Sequence, residues 1–323
     1  MNIGIIGCGL IGMKRAKSVG AHKVTWVMDL VTERAQQLAQ SVPGAQVAKE
    51  WRDLVKKKDV DAVIIATTHA QLAPISEAAL EAGKHVLVEK PGALNAGELK
   101  PVLALARRTG LVVRIGFNHR FHPALLKCRE ILDSGVAGSL MFIRGRYGHG
   151  GRPGYEKEWR ADPAISGGGE AIDQGIHLVD LSRCFLGDFK TIEGYAPTFF
   201  WDMPVEDNAF MLLKTAKGQA AWLHASWSEW KNMFSFEIYG RIGKLQVDGF
   251  GGSYGVERLT YYQMLPQMGP PETQTWEFPG ADTSWASEFQ DFIGAIEGRK
   301  GIGATVEDAV AALEIVQQVR GLR

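Results

Sequence analysis

The sequence predicts an α/β protein with a doubly wound parallel sheet near the N-terminus, followed by an α+β domain with a large, mostly antiparallel open sheet. Three observations support this fold class. A glycine-rich turn follows the first apolar run. Short β-branched runs then alternate with helical patterns over the first third of the chain. Beyond about residue 138, successive strand patterns separated by short turns replace that alternation.

The first domain is predicted to cover residues 1–120. Its β-branched runs indicate strands, and helical spacing that ends at a glycine indicates helices. The strands expected after the first run are residues 23–28, 60–66, 85–89 and 111–117, and the two clearest helices are residues 73–82 and 96–109. This order of elements predicts the parallel sheet.

The second domain is predicted to cover residues 121–323. It begins with a helix over residues 123–133 and ends with a helix over about 305–320 that returns toward the first domain. Between them the predicted strands are residues 139–147, 191–200, 208–215, 219–227, 234–239 and 244–248. Trp222, Trp227 and Trp230 fall in this region and predict a broad aromatic face. Either a second copy covers that face, giving a homodimer or homotetramer through the sheet, or a helix of the same chain does.

Composition narrows the function classes. The chain has 323 residues, 46% of them hydrophobic, with 36 basic and 36 acidic side chains. A net charge of zero favours neither a nucleic acid nor an anionic membrane as partner. No leader-like or membrane-spanning pattern is present, so we expect a cytoplasmic protein. Three widely spaced cysteines, expected to be small buried side chains, favour neither a disulfide framework nor a zinc site.

The glycine loop after the first strand predicts a dinucleotide site. Gly7 permits the tight turn, Gly9 leaves room for a diphosphate, and Gly12 lets the following helix pack closely on the sheet. The backbone N–H groups of Leu10 and Ile11 open that helix and suit an anion. The first domain is therefore expected to be a Rossmann domain.

An acidic residue after the second strand sets the expected cofactor. Asp29 follows Gly7 by about twenty residues, the spacing of the carboxylate that binds the adenosine ribose hydroxyls. A carboxylate there repels a 2′-phosphate, which favours NAD over NADP. Arg34 keeps NADP open, because its guanidinium could turn toward a phosphate. Thr67, Glu89 and Lys90 complete the predicted cofactor contacts.

Two segments carry candidate catalytic groups. Glu89-Lys90-Pro91 ends a predicted strand at the carboxyl edge of the sheet, where ligands of this architecture bind. Farther along, Asp173, His177 and Asp180 share one face if their segment is helical. Alcohol oxidation needs a base, and histidine suits it near neutral pH. We expect His177 to be the base, Asp173 to orient it and Lys90 to stabilise the alkoxide.

Together the glycine loop, the Glu-Lys-Pro tripeptide and the Asp-x-Gly-x-His pattern at Asp173 to His177 resemble the Gfo/Idh/MocA oxidoreductases. The resemblance implies hydride transfer between NAD(P) and a sugar, sugar acid, nucleotide-linked sugar or polyol, with Lys90, Asp173 and His177 as the catalytic trio. It also implies that the open sheet forms a subunit interface. Two alternatives within the same resemblance are an NAD-dependent glycosidase that oxidises its sugar transiently and a non-catalytic sugar sensor.

Substrate recognition is predicted in the loop before the catalytic segment, which is rich in arginine, aromatic residues and glycine. Arginine forks suit carboxylates or phosphates, and aromatic faces suit sugar rings. The alternative is a mobile loop with solvated arginines. The loop candidates, which join Lys90, Asp173 and His177, are Arg146, His149, Arg152, Tyr155 and Trp159. Arg120 lies outside this loop and is a secondary candidate because it resembles a family position near the substrate.

Two further features concern histidines. His119 and His122 could add to Asp173, His177 and Asp180 as metal ligands, but no convergent set follows from the sequence, so no metal is predicted. The chain also departs from the family pattern: Leu72 stands where a histidine is common, and His69 could replace it.

Overall fold

The computed structural model describes residues Met1–Gly321 and divides into two compact units. Unit 1 comprises Met1–Asn118, Ala164–Gly167 and Trp285–Ala311. Unit 2 comprises His119–Pro163, Gly168–Ser284 and the described residues from Ala312 onward. The predicted division gave everything after residue 120 to the second domain, whereas the structure groups two later segments with unit 1.

Unit 1 is built on a six-stranded, all-parallel sheet in the order β3-β2-β1-β4-β5-β6. The strands are β1 (Asn2–Ile6), β2 (Lys23–Met28), β3 (Gln46–Val47), β4 (Ala62–Ile65), β5 (His85–Glu89) and β6 (Val113–Gly116). The helices are α1 (Leu10–Lys17), α2 (Thr32–Ser41), α3 (Trp51–Val55), α4 (His69–Glu81) and α5 (Ala96–Thr109). This strand order is the doubly wound topology of dinucleotide-binding domains, which confirms the prediction for the first sheet.

The α-helices after α5 in the described residues are α6 (Pro123–Asp133), α7 (Pro163–Ser166), α8 (Ile176–Leu186), α9 (Ser284–Ile296) and α10 (Val306–Val319).

Helix α9, late in the chain, completes the core of unit 1. From α9, Phe289, Phe292 and Ile293 pack into the core with Ile3 and Ile64. Burying these apolar side chains explains why the segment belongs to unit 1. The sequence analysis did not identify α9.

Unit 2 contains an eight-stranded sheet in the order β14-β13-β12-β11-β7-β10-β9-β8. The strands are β7 (Leu140–Gly148), β8 (Phe189–Tyr195), β9 (Asn208–Thr215), β10 (Ala220–Ser226), β11 (Met233–Gly240), β12 (Gly243–Asp248), β13 (Glu257–Gln263) and β14 (Glu272–Phe278). Neighbouring strands are antiparallel except for β7 and β10, which run parallel in the register Phe142–Gly148 against Ala220–Ser226. The predicted, mostly antiparallel sheet is confirmed; β13 and β14 extend it beyond the predicted strands.

The two faces of this sheet differ because successive side chains on a strand point to opposite sides. Helices α6 and α8 pack against the sheet, and the space beside Gly145 is filled by Leu178, Leu223 and Phe236. Side chains at the alternate strand positions point to the opposite side of the sheet, which is called the open face below. On this face Arg144 lies in register between Trp222 and Glu237.

The predicted face of three tryptophans is wrong in part. Trp222 is 49% exposed on the open face, but Trp227 is completely buried beside Tyr155 and Val205. Trp230 is exposed in the turn after β10 with a positive φ, so it is not on a strand. The change in geometry at the end of β10 breaks the alternation on which the prediction depended. Cys184 is also an exception to the expected burial, because only Cys8 and Cys128 are buried thiols.

A search of Met1–Gly321 found no helix with both the length and the apolar character needed to cross a lipid bilayer.

Candidate active-site residues

The glycine loop of unit 1 has the geometry that the sequence predicted. Gly7 has a φ of +92°, and a Cβ added there would lie 2.3 Å from the carbonyl oxygen of Ala66. A Cβ on Gly12 would lie 1.9 Å from the carbonyl oxygen of Gly7. These approaches are too short for any side chain, so the turn and the close seating of α1 both require glycine.

The start of α1 can accept an anion. Gly9 is the N-cap residue, and a Cβ built on it meets nothing within 4 Å. No acidic side chain lies in the first turn, which starts at Leu10 and Ile11. Open space before a row of unsatisfied backbone N–H groups is the arrangement that binds a diphosphate. The loop therefore fits a dinucleotide.

Asp29 is fixed directly beside this loop. Its carboxylate accepts a hydrogen bond from the backbone N–H of Cys8 at 2.7 Å and another from that of Val31 at 2.8 Å. Each carboxylate oxygen keeps acceptor capacity for a hydroxyl. Negative charge at this position opposes a 2′-phosphate, while Arg34 is exposed on α2.

Three predicted residues follow the carboxyl ends of adjacent strands in unit 1. Gly7 follows β1, Thr67 comes two residues after β4, and Lys90 follows β5 directly. Lys90 is half-buried, and its peptide bond to Pro91 is cis. Ligands of open parallel sheets bind at this edge. The structure thus brings the loop, Thr67 and Lys90 to one edge of the sheet.

A buried ion triad holds the end of β5. Arg15 on α1 is completely buried, and its Nε donates to Oε1 of Glu89 at 2.7 Å. Its Nη1 donates to Oε2 of Glu288 on α9 at 2.5 Å, and its guanidinium lies 4.6 Å from the centroid of the Trp285 ring. The two carboxylates raise the pKa of Arg15 against the opposing effect of burial. Glu89, predicted as a cofactor contact, is thus held by Arg15 directly before Lys90.

Leu72, which stands where the family commonly has a histidine, is a core residue. It is completely buried in α4. His69, the first residue of α4, is buried too, and its Nδ1 lies 2.7 Å from the carbonyl oxygen of Ser166.

In unit 2 the predicted catalytic segment combines two helical geometries. Asp173 lies in a π-helical turn, Ala171–Gly175, and His177 lies in the first turn of α8. The extra residue per turn alters the regular spacing on which the shared face was predicted. Asp173 accepts a hydrogen bond from Nε of Arg160 at 3.0 Å. Such π turns occur frequently at functional sites.

Asp180, predicted to share a helix face with Asp173 and His177, forms an ion pair with Arg120. Arg120 donates to both of its oxygens, from Nε at 2.8 Å and from Nη2 at 2.5 Å, and both side chains are buried. This bidentate ion pair balances the positive charge of Arg120 with a carboxylate of the protein itself. Arg120 and Asp180 therefore bind each other, whereas Asp173 binds Arg160.

His177 lies in an aromatic environment and is 4% exposed. Its ring stacks on that of His119 with centroids 3.8 Å apart and is edge-on to Tyr147 at 6.2 Å. Burial raises the pKa of Tyr147 well above its usual value and that of Tyr254 to about 12. Both phenols are therefore protonated near neutral pH and can donate hydrogen bonds, while Tyr254 accepts one from Gln174 at 3.0 Å.

The residues of the predicted substrate loop lie in several different environments. Arg146 lies on the open face of the sheet, opposite Ser235 and His224, because it neighbours the inward-facing Tyr147 on β7. Arg146, predicted as a substrate contact, therefore lies on the opposite face of the sheet from Tyr147. Tyr155 is also a core residue, packed edge-on against Trp227 at 5.1 Å.

The rest of that loop is held by internal contacts. Arg152 is largely exposed and pairs with Glu158 at 2.7 Å. Nδ1 of His149 accepts a hydrogen bond from the N–H of Gly151 at 2.9 Å, and burial lowers the pKa of its ring. The guanidinium of Arg160 lies 4.6 Å from the ring centroid of Trp159. Both arginines therefore have partners within the protein, although Arg152 remains largely exposed to solvent.

Within Met1–Gly321 no group of three or more histidine, cysteine, aspartate or glutamate side chains is arranged to hold a metal ion.

Two family models match the chain, one in each predicted domain. Residues 1–117 match the oxidoreductase family with an NAD-binding Rossmann fold, and residues 125–246 match the Gfo/Idh/MocA C-terminal domain. The chain belongs to the Gfo/Idh/MocA oxidoreductase family. Its first unit is accordingly an NAD-binding Rossmann domain, as the glycine loop predicted.

Named relatives agree with this family. The chain is 26% identical to levoglucosan dehydrogenase of Pseudarthrobacter phenanthrenivorans over 68% of its own length, and 30% identical to inositol 2-dehydrogenase 2 of Saccharopolyspora erythraea over 68%. These matches span 59% and 64% of the two relatives. A solved levoglucosan dehydrogenase in complex with NADH and L-sorbose superposes with a TM-score of 0.88 at 22% identity, covering 99% of this chain and 96% of that one. At that identity the likeness shows the fold.

Sequence reasoning about this Gfo/Idh/MocA protein missed three residues around Asp173 and His177. Arg160 was part of the loop considered but was not chosen, although it binds Asp173. Tyr147 was detectable because it alternates with Arg146 on a predicted strand. Tyr254 comes from a glycine-rich turn outside every predicted element, so only the folded structure identifies it.

Proposed function

We propose that this protein transfers a hydride between NAD and a secondary alcohol or ketone of a sugar or polyol. The observation that carries the proposal is a buried imidazole, His177, four residues after a carboxylate that Arg160 holds, in a chain whose other unit is an NAD-binding Rossmann domain. The names of the relatives, levoglucosan dehydrogenase and inositol 2-dehydrogenase, support the same class of substrate.

The roles of the three residues follow from their chemistry. When bound, NAD supplies the hydride acceptor. In the oxidation direction the ammonium of Lys90 donates a hydrogen bond to the substrate oxygen and stabilises the charge that develops there. His177 accepts the hydroxyl proton, and the carboxylate of Asp173 favours the resulting imidazolium. In the reduction direction the same groups act in reverse.

A neutral substrate suits the loop better than an acidic one. The arginines that suggested a uronate or a nucleotide-linked sugar bind carboxylates of the protein itself: Arg120 binds Asp180, Arg152 binds Glu158 and Arg160 binds Asp173. The two rings recorded against His177 are instead an imidazole, His119, and a phenol, Tyr147, and both groups hydrogen-bond hydroxyls. We therefore place neutral sugars and polyols first among the candidate substrates.

A substrate screen tests the function. Purified protein should reduce NAD, detected as NADH absorbance, with at least one inositol, anhydrosugar or hexose, and NADP should be the poorer cofactor because of Asp29. Hexuronates and nucleotide-linked sugars serve as the acidic comparison set. Release of a leaving group without accumulated NADH would instead indicate a glycosidase, and stoichiometric capture of a protein partner without any turnover would indicate a sensor.

We further propose that the open face of the unit 2 sheet contacts a second copy, giving a homodimer or homotetramer. Leu212 and Trp222 are directly opposite each other on β9 and β10, each nearly half exposed, and Phe142 lies nearby on β7 stacked on Tyr239 at 4.2 Å. Contiguous exposed apolar side chains of this size typically mark a protein interface.

Replacing Trp222 with aspartate should dissociate the oligomer, because it removes the large apolar side chain opposite Leu212 and puts a charge in its place. Sedimentation velocity at micromolar protein should then give the mass of a monomer. Trp230→Asp is the matched control, since Trp230 is equally large, more exposed and off the sheet. A wild-type monomer, or an unchanged mass for Trp222→Asp, contradicts this interface.

A further inference from the structure

The ring that stacks on His177 belongs to a second histidine, which the proposed function does not use. His119 is 7% exposed and lies almost parallel to His177, with centroids 3.8 Å apart and an angle of 20° between the planes. Two aromatic rings also pack against His119. Phe250 is edge-on to His119 at 4.6 Å, and Tyr147 is tilted against it at 5.3 Å.

This geometry restricts what the imidazole of His177 can do. A flat ring at stacking distance, itself held by neighbours, prevents His177 from tilting out of its plane. Two imidazolium rings at this separation repel each other, so the stacked pair accepts its second proton much less readily than its first. A neutral ring, by contrast, presents a π face that favours one positive charge beside it.

Resting on the proposed function, we propose that His119 is a positioning residue: its ring fixes the plane of His177 and limits the pair to one proton. The base is thereby kept available at a lower pH than a single histidine would allow. The proton that His177 takes from the substrate hydroxyl then lies against a neutral partner. His119 supports the base without contacting the reacting atoms.

Other ionisable groups around the pair stay in place in the experiment. Tyr147 from β7 and Tyr254 from the turn after β12 face it from the sheet side, and both remain neutral phenols near pH 7. His122 lies 5.5 Å from His119 and is 2.9 Å from its own carboxylate, Glu257. The acidic groups of the catalytic segment are Glu170, Asp173 and Asp180; Asp173 is paired with Arg160, and Asp180 with Arg120.

Two substitutions separate the effects of the ring and of the proton. His119→Ala removes the stacked face and should lower kcat about 10- to 100-fold with little change in KM, because the base is no longer held in position. His119→Phe keeps a flat ring and should retain kcat within about threefold, but the acid limb of kcat/KM for alcohol oxidation should move up by about half a pH unit or more. His119→Phe also guards against a folding defect in the alanine variant.

The control is His22→Phe, the same change at a histidine that is edge-on to Phe289 in unit 1. Its pH profile should coincide with that of the wild type. Unchanged kcat in His119→Ala, or an acid limb in His119→Phe that superposes on the wild-type limb, overturns the proposal.

A second readout does not need turnover. NMR titration of the histidine Cε1–H signals should show the midpoint of His177 about half a pH unit or more higher in His119→Phe than in the wild type. Equal midpoints overturn the proposal. If no alcohol is oxidised by the wild-type protein, the proposed function fails, while this titration still decides whether the two histidines are coupled.

Discussion

Replacing Lys90 with alanine should lower kcat about 10²- to 10⁴-fold, because the substrate oxygen loses the charged donor that stabilises it in the transition state. The affinity for NADH should stay within about threefold, since the glycine loop and Asp29 supply the main contacts to the dinucleotide. Steady-state kinetics and fluorescence titration of NADH measure the two quantities. Lys90→Arg should recover only part of kcat, because a guanidinium is larger and differently shaped from an ammonium.

Lys100→Ala is the matched control for this prediction. Lys100 is an exposed lysine on α5, in the same unit and only ten positions farther along the chain. It should leave both kcat and the affinity for NADH unchanged. Turnover by Lys90→Ala within about threefold of the wild type would remove Lys90 from the mechanism.

Arg15→Met should be the most destabilising single substitution in unit 1. It leaves Glu89 and Glu288 buried without their guanidinium, and breaking a buried ion pair by removing one partner costs about 3–5 kcal/mol. The melting temperature should fall on the order of 10 °C. Differential scanning calorimetry measures this fall. Because Glu89 directly precedes Lys90, kcat should also decrease at temperatures where the variant is still folded.

Arg52→Met provides the comparison for Arg15→Met. Arg52 also lies over a tryptophan ring, 4.2 Å from the centroid of Trp51, but it is exposed on α3. Its replacement should change the free energy of unfolding by no more than about 0.5 kcal/mol. If the two variants melt at the same temperature, the buried triad contributes nothing to stability.

The parallel sheet was predictable because buried strands such as β2 and β5 are short β-branched runs with turn residues on both sides. Strand β14 was missed because its residues are mostly polar and exposed at the edge of the sheet, so no hydrophobic alternation marks it. Helix α9 was missed although it carries apolar residues into the core of unit 1, because its sequence position gave no sign of a return to the first sheet.

The candidate site shows the same division between local and tertiary information. Lys90, Asp173 and His177 could be chosen because each lies in a short motif whose chemistry is local. Arg146 lies on the open face because neighbouring side chains on a strand point to opposite sides, a constraint that was not applied when the loop residues were chosen together. The stacking of His119 on His177 depends on two segments more than fifty residues apart, so nothing short of the folded chain could reveal it.

The parallel pairing of β7 with β10 has a consequence for how substrate preference can diversify. The segment between them, from His149 to Gln219, holds the predicted substrate loop, the π turn, His177, and strands β8 and β9 of the same sheet. Exposed positions of the loop can gain or lose residues while the register of β7 and β10 stays the same. Variation confined to this loop can therefore alter what binds without disturbing the sheet.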